Sequence, residues 1–173
     1  MKARNAGAAH ANGDVLVFLD AHIECSPGWV EPLLSRIKED RRHVVMPRID
    51  ALDADTFDYR KGGITLLGFT WRLRQTGLER HLHATAPTAS VIMAGGLFAI
   101  ERLLFFELGA YDVEMQLWGG EEMDISFKIW QCGMTLECVP CSRVAHVFRS
   151  KKWWQGQAYA VPYNVVIRNK IRV

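Results

Sequence analysis

Asp20 and His22 stand two residues apart, directly after the apolar run Val15-Leu16-Val17-Phe18-Leu19. In an extended chain both side chains then point the same way. A carboxylate oxygen and a neutral imidazole nitrogen together suit a divalent cation of intermediate hardness, with Mn2+ the natural candidate. The competing role is an Asp capping the next turn beside a surface His. His146, in Val144-Ala145-His146-Val147-Phe148, has apolar neighbours on both sides and is the candidate third ligand. A core histidine bonded to a carbonyl is the alternative, and His81 and His83 are rival ligands in a more charged setting. Arg149, three residues beyond His146, adds a planar guanidinium suited to a diphosphate. A metal beside an arginine is equipment for stabilising a departing nucleoside diphosphate.

Two glycine-containing segments could read a sugar. Gly95-Gly96 is either a plain turn or a place where the backbone approaches a hydroxyl closely. Trp118-Gly119-Gly120-Glu121-Glu122 offers a ring face for C–H packing and carboxylate oxygens for paired hydroxyls. Its other reading is a helix start in which the two carboxylates favour the dipole. Adjacent residues on a helix do not face each other, so Glu121 and Glu122 are not an obvious acid/base pair.

The elements that must hold these groups follow an α/β pattern. Residues 3–11 read as a helix end closed by Asn12-Gly13, and residues 15–19 as a strand buried on both faces of a parallel sheet. Ligands bind at the C-terminal edge of such sheets, where Asp20 and His22 fall. Ser26 and Pro27 are expected to open a helix with Trp29, Leu33, Leu34 and Ile37 on one face. Val44-Val45-Met46 reads as a further strand, and residues 64–74 as holding one strand. A short helix is expected from Glu101 to Gly109, and an amphipathic one with Ile125, Ile129 and Trp130 inward, closed by Gly133. Two short strands, 136–139 and 144–148, flank Pro140, and the tail with Trp153, Trp154, Tyr159 and Tyr163 reads as a mobile ligand-covering loop.

The 173 residues, 49% hydrophobic and 23% charged, fit one globular domain and exclude a disordered or supercharged chain. The longest uncharged stretch, 84–100, is broken by Pro87 and Gly95-Gly96, which argues against a membrane span, and no secretory signal opens the chain. The net charge of +2 hides seven basic residues and no carboxylate from Cys138 onward, leaving 14 basic and 19 acidic groups, or −5, in the rest. That is a solvated tail or a basic edge for a phosphate-bearing ligand, and too small a footprint for duplex nucleic acid. Cys132, Cys138, Cys141 and His146 could be drawn as a zinc site, although the segment reads as strands rather than a knuckle.

Phe18-Leu-Asp-Ala-His22, Ala94-Gly-Gly-Leu-Phe98, Trp118-Gly-Gly-Glu121, Trp130-Gln-Cys-Gly133 and Cys141-Ser-Arg-Val-Ala-His-Val-Phe-Arg149 occur in that order. In this the chain closely resembles the catalytic domain of the polypeptide N-acetylgalactosaminyltransferases, over nearly its whole length and more weakly over residues 53–87. The resemblance implies a GT-A (Rossmann-like) fold, α/β with a mixed sheet flanked by helices. It also implies transfer of GalNAc from UDP-GalNAc to Ser or Thr of polypeptide acceptors, with retention at the anomeric carbon. By matching position, Asp20, His22 and His146 would bind Mn2+. Arg149 and the loop after it, with Trp154, would cover the diphosphate. Gly95, Gly96, Trp118 and Glu121 would hold the sugar. Asp20 and Glu121 are the implied catalytic residues, Glu121 stabilising charge rather than forming a bond.

Residues 1–173 would then be part of a GT-A domain lacking its first nucleotide-binding strands, with a membrane anchor and a lectin domain elsewhere, in a protein of the Golgi membrane, on its lumenal side. Cys132 and Cys141 would pair with partners outside this segment. Two departures are notable: Glu122 stands where the family usually has Asn, and Trp153 where it usually has Pro. A non-catalytic fragment that binds a sugar nucleotide or glycoprotein, and a transferase with a glycan acceptor, are the alternatives.

Overall fold

The computed structural model describes residues 1–62, 66–78, 85–148 and 161–173. Its centre is a seven-stranded mixed sheet with strand order β1-β8-β3-β9-β2, to which β4 adds on β3 and β7 on β9. The long strands β3 (His43–Asp53) and β9 (Thr135–Phe148) run parallel through the middle. β1 (Val15–Phe18) pairs antiparallel with β8 (Phe98–Glu101), and β2 (Ile23–Cys25) antiparallel with β9. β4 (Tyr59–Arg60) and β7 (Thr88–Ala89) are two-residue additions, while β5 (Leu67–Phe69) and β6 (Gln75–Gly77) form a separate hairpin.

Period-2 alternation sorts the side chains between two layers. Val44 and Met46 of β3 and Phe98 and Ile100 of β8 enter the main core, where Phe18 stacks on Phe98 with ring centroids 4.7 Å apart. That core is closed by α1 (Lys2–His10), α3 (Arg102–Glu107) and α4 (Glu121–Gln131) through Ala8, Phe105, Ile125 and Ile129. Val45 and Ala99 face the other way, onto Leu33 and Ile37 of α2 (Val30–Glu39). α5 (Tyr163–Arg172) ends the chain. Buried Asp50 is satisfied by Arg143 at 2.6 Å, the Gly62 N–H at 3.0 Å and the Tyr59 hydroxyl, which ties β4 to the sheet.

Several expectations are corrected. β1 is antiparallel to its only neighbour among the described residues, because an apolar run reports burial and not direction. The segments around Pro140 form one strand, with the β3–β9 register jumping from Pro47↔Val139 to Arg48↔Arg143. Pro140, which has no N–H to give, lies in that bulge. The 64–74 expectation stands in its described part, which holds one strand, β5, paired with β6 just beyond it. α2 starts at Val30 after Trp29 with no side-chain cap, because Gly28, at φ +70°, stands between Ser26-Pro27 and the helix. Trp130 is 39% exposed and donates to the Val91 carbonyl at 3.0 Å rather than packing inward. Tyr163, read as part of a loop, opens the helix α5, while Trp153, Trp154 and Tyr159 lie outside the described residues. Cys138 is buried in the core while Cys141 is exposed, so the two share no metal site. Glu101 does cap α3, accepting from the Leu104 N–H at 2.8 Å, and Gly133 follows α4 at φ +72°. Among the described residues, no helix is long and apolar enough to cross a membrane.

Candidate active site

Strand register assembles the site. β2 pairs with β9 so that Ile23 lies opposite His146, and the Val147 N–H donates to the His22 carbonyl at 3.0 Å. His22 is therefore delivered beside His146, ring centroids 4.4 Å apart. β1 pairs Phe18 with Phe98, and continuing that register by two residues sets Asp20 opposite Gly96. An ideal Cβ on Gly96 would lie 2.1 Å from Asp20 Oδ2, so the carboxylate rests where any side chain at 96 would be. The small residue expected to admit a sugar thus makes room for Asp20.

Asp20, His22 and His146 each offer a ligand atom within 4.8 Å of the other two. Bonds of about 2.1 Å to a divalent ion allow ligand pairs up to about 4.2 Å apart, so closure needs only sub-ångström adjustment. His146 Nε2 faces Asp20 Oδ2 at 3.6 Å, longer than a hydrogen bond, and its Nδ1 is buried without a hydrogen-bond partner among the described residues. The ring is aimed at the carboxylate without being satisfied by it, an arrangement that a cation shared between them completes. Among the described residues this is the one cluster of three or more His, Cys, Asp or Glu placed for a metal. The rivals His81 and His83 lie outside the described residues, as do Arg149 and Trp154.

Arg4 is the residue that sequence reasoning missed. Its guanidinium binds Asp20 Oδ1 at 3.0 Å, the Tyr111 hydroxyl at 3.2 Å and the Gly95 carbonyl, while Asn5 exchanges hydrogen bonds with the Tyr111 backbone at 2.8 and 3.1 Å. His146 and then Arg4 hold the Asp20 carboxyl below its ordinary range against the opposing effect of partial burial. Burial pushes the Tyr111 phenol up to about 12 even with Arg4 beside it, so Tyr111 stays protonated.

The sugar-reading candidates meet on the neighbouring rim. Ser126, fully buried, accepts from the Met93 N–H at 3.0 Å and donates to the Glu122 carbonyl, clamping the segment before Gly95 onto α4. An ideal Cβ on Gly95 would lie 2.9 Å from Glu122 Cβ, so this glycine is a packing requirement as well as a turn at φ +83°. Gly119 and Gly120, at φ +99° and +101°, lead into α4. Glu121 accepts from the Gly119 N–H at 2.6 Å and Glu122 from the Gly120 N–H at 3.0 Å. Trp118, 56% exposed, presents an open ring at the same turn.

Burial, and after it the Glu121 charge, raises the Glu122 carboxyl above its ordinary value of 4.5. For a carboxyl raised in the folded state, the stabilising contribution is complete below the unfolded value and is lost as pH rises through the folded one. Glu122→Gln stays neutral and can still accept from Gly120. It is expected to raise Tm at pH 7.5, with the gain shrinking toward pH 4. Calorimetric scans at both pH values check this; an equal gain at pH 4 would place the cause elsewhere.

Comparison with known proteins gives the family. Residues 1–105 match the sequence model of glycosyl transferase family 2, and residues 80–152 that described as the N-terminal domain of galactosyltransferase. Polypeptide N-acetylgalactosaminyltransferase 4 of Caenorhabditis elegans is 50% identical over 160 residues, covering 87% of this chain and 27% of that protein. Polypeptide N-acetylgalactosaminyltransferase 13 of Homo sapiens is 51% identical over 158 residues, covering 86% of this chain and 28% of its own length. The chain thus spans about a quarter of these relatives. The crystal structure of GalNAc-T7 with UDP, GalNAc and Mn2+ superposes with a TM-score of 0.88 at 39% identity, covering 99% of this chain and 34% of that one. With 105 of its 173 residues matched by the family's own model, the chain belongs to glycosyl transferase family 2, and its homologues within it are the polypeptide N-acetylgalactosaminyltransferases.

Proposed function

We propose that this chain carries the metal and sugar-nucleotide machinery of a retaining transferase that moves GalNAc from UDP-GalNAc to Ser or Thr hydroxyls of polypeptides. The observation that carries the reading is the convergence of Asp20 and His22, from the β1–β2 connection, with His146 of β9, with Gly96 leaving room for the carboxylate. The named relatives, and the UDP, GalNAc and Mn2+ held by the superposed GalNAc-T7, support the choice of donor and ion. Mn2+ held by the three side chains would supply positive charge against the negative charge that develops on the departing diphosphate.

The chain's own residues do the rest. Arg4 holds one oxygen of Asp20, leaving Oδ2 turned toward His146. The Gly95 carbonyl, fixed by Arg4, and the Glu121 carboxylate, fixed by the Gly119 N–H, present acceptors for sugar hydroxyls. Trp118 offers its exposed face to the sugar ring. In the front-face substitution proposed here, the acceptor hydroxyl gives its proton to the leaving phosphate oxygen, and Glu121 adds negative charge near the anomeric centre without bonding to it. Burial and the Glu121 charge raise the Glu122 carboxyl, which disfavours its carrying that negative charge.

The test is turnover of UDP-GalNAc with Mn2+ and a Ser/Thr peptide beside an oligosaccharide acceptor. Glu121→Gln is expected to lower turnover by about 10²–10³-fold while Mn2+ affinity stays unchanged. Product anomericity read by NMR reports retention. Transfer to the oligosaccharide alone would reassign the acceptor, and binding of UDP-GalNAc with no transfer to either would leave a non-catalytic binder.

A further inference from the structure

We propose that Asn169 of α5 is a positioning residue that sets the 116–120 turn, and through it Glu121, for the sugar half of the donor and not for its nucleotide half. The inference rests on the reading above, in which this turn faces GalNAc. Asn169 is 2% exposed, and all of its side-chain bonds run to one stretch of backbone some fifty residues away. Its Oδ1 accepts from the Gln116 N–H at 3.0 Å. Its Nδ2 donates to the Gln116 carbonyl at 2.8 Å and the Trp118 carbonyl at 3.2 Å. The amide therefore pairs with Gln116 as a neighbouring strand would, and only one orientation of its O and N satisfies all three contacts.

The two glycines that follow are pressed onto the same helix. An ideal Cβ on Gly119 would lie 3.2 Å from Val166 Cγ1, and one on Gly120 within 3.5 Å of Asn169. Both glycines have left-handed φ, so the turn is shaped by α5 on one side and by backbone geometry on the other. The Gly119 N–H, so placed, binds the Glu121 carboxylate at 2.6 Å. The helix cannot slide freely, because Arg172 grips Asp112 through two hydrogen bonds, at 2.5 and 3.1 Å, and Lys170 donates to the Arg72 carbonyl at 3.3 Å. None of these contacts reaches Asp20, His22 or His146. The consequence is a division of labour. Loosening Asn169 disturbs the sugar-facing turn, while the metal cluster, built on β1, β2 and β9, is untouched.

The experiment uses the full chain with Asn169→Asp, which keeps the acceptor for Gln116 but sets a carboxylate against two carbonyls, and Asn169→Ala. Val166→Ala, which frees Gly119 without unburying a polar group, guards against loss of folding. Tyr163→Ala, on the exposed part of α5, is the control. Calorimetric Kd values are measured for UDP and for UDP-GalNAc in the presence of Mn2+, with Tm alongside. The Asn169 variants are expected to weaken UDP-GalNAc about tenfold or more while UDP stays within about twofold, with a smaller loss of the same selectivity for Val166→Ala. Equal loss of both ligands, or loss of neither, overturns the role of Asn169 while the sugar-nucleotide reading stands. Failure of the wild-type chain to bind UDP-GalNAc overturns both.

Discussion

Mn2+ affinity is expected to fall at least about a hundredfold when His146 is replaced by alanine, with little change in the fold. Even partners that only orient a ligand typically change metal affinity by 10- to 100-fold, and His146 is a ligand candidate itself. Its backbone does not depend on the ring. Residue 146 sits inside β9, paired with Ala51 of β3 on one side and Ile23 of β2 on the other. Removing the imidazole leaves those ladders intact and takes away contacts with His22 and with Phe148, whose ring centroid is 4.5 Å away. Asp20 and His22 alone can offer only two donors from a short, exposed segment. Mn2+ titration followed by electron paramagnetic resonance, with circular dichroism as the fold control, reads the effect. His10→Ala is the matched control, since that exposed ring bonds the Ala6 carbonyl of its own helix and lies outside the candidate metal cluster. Unchanged Mn2+ affinity in His146→Ala would remove the ion from this site.

Local chemistry in the sequence was enough to mark the candidate metal ligands, and not enough to show how they meet. Asp20 and His22 announce themselves as polar residues ending an apolar run, and His146 as an imidazole among Val, Ala and Phe. Their convergence depends on β2, a three-residue strand too short to leave a periodic signal, and on its antiparallel register with β9. Helix-end signals served well at Gly133, which follows α4, and the expected start at Glu101 is where α3 is capped. They failed at Ser26, which the left-handed Gly28 separates from the helix start at Val30. α5 was missed for a different reason. Its ten residues follow directly on the aromatic, glycine- and lysine-containing stretch and were read with it as one loop, and the polar contacts of Asn169, Lys170 and Arg172 that hold it run to distant segments and leave no local signal. Arg4 was invisible in the same way. In an alanine-rich helix, nothing local separates an arginine that grips Asp20 from one that is solvated.

Gly96→Ala is expected to abolish Mn2+ binding about as completely as loss of a ligand, although it adds one methyl group and touches no proposed ligand in sequence. An ideal Cβ at 96 would lie 2.1 Å from Asp20 Oδ2, 2.8 Å from Cγ and 3.2 Å from Oδ1, so it contests the carboxylate as a whole. Backbone strain does not enter, because Gly96 lies outside the left-handed region that Gly95 occupies at φ +83°. The collision must then be relieved by the softer partner. Asp20, with its side chain 27% exposed, can swing outward, giving up the 3.0 Å bond from Arg4 and its approach to His146. The fold should tolerate this, since the site lies beyond the last β1–β8 pair and the stacked Phe18 and Phe98 remain in place. A cycle with Asp20→Ala isolates the mechanism. If the methyl acts through the carboxylate, Gly96→Ala costs no further Mn2+ affinity once Asp20 is alanine. If instead Gly96 matters only as backbone against a sugar hydroxyl, UDP-GalNAc weakens while Mn2+ and UDP bind as in the wild type, and the cradle for Asp20 is not what this glycine provides.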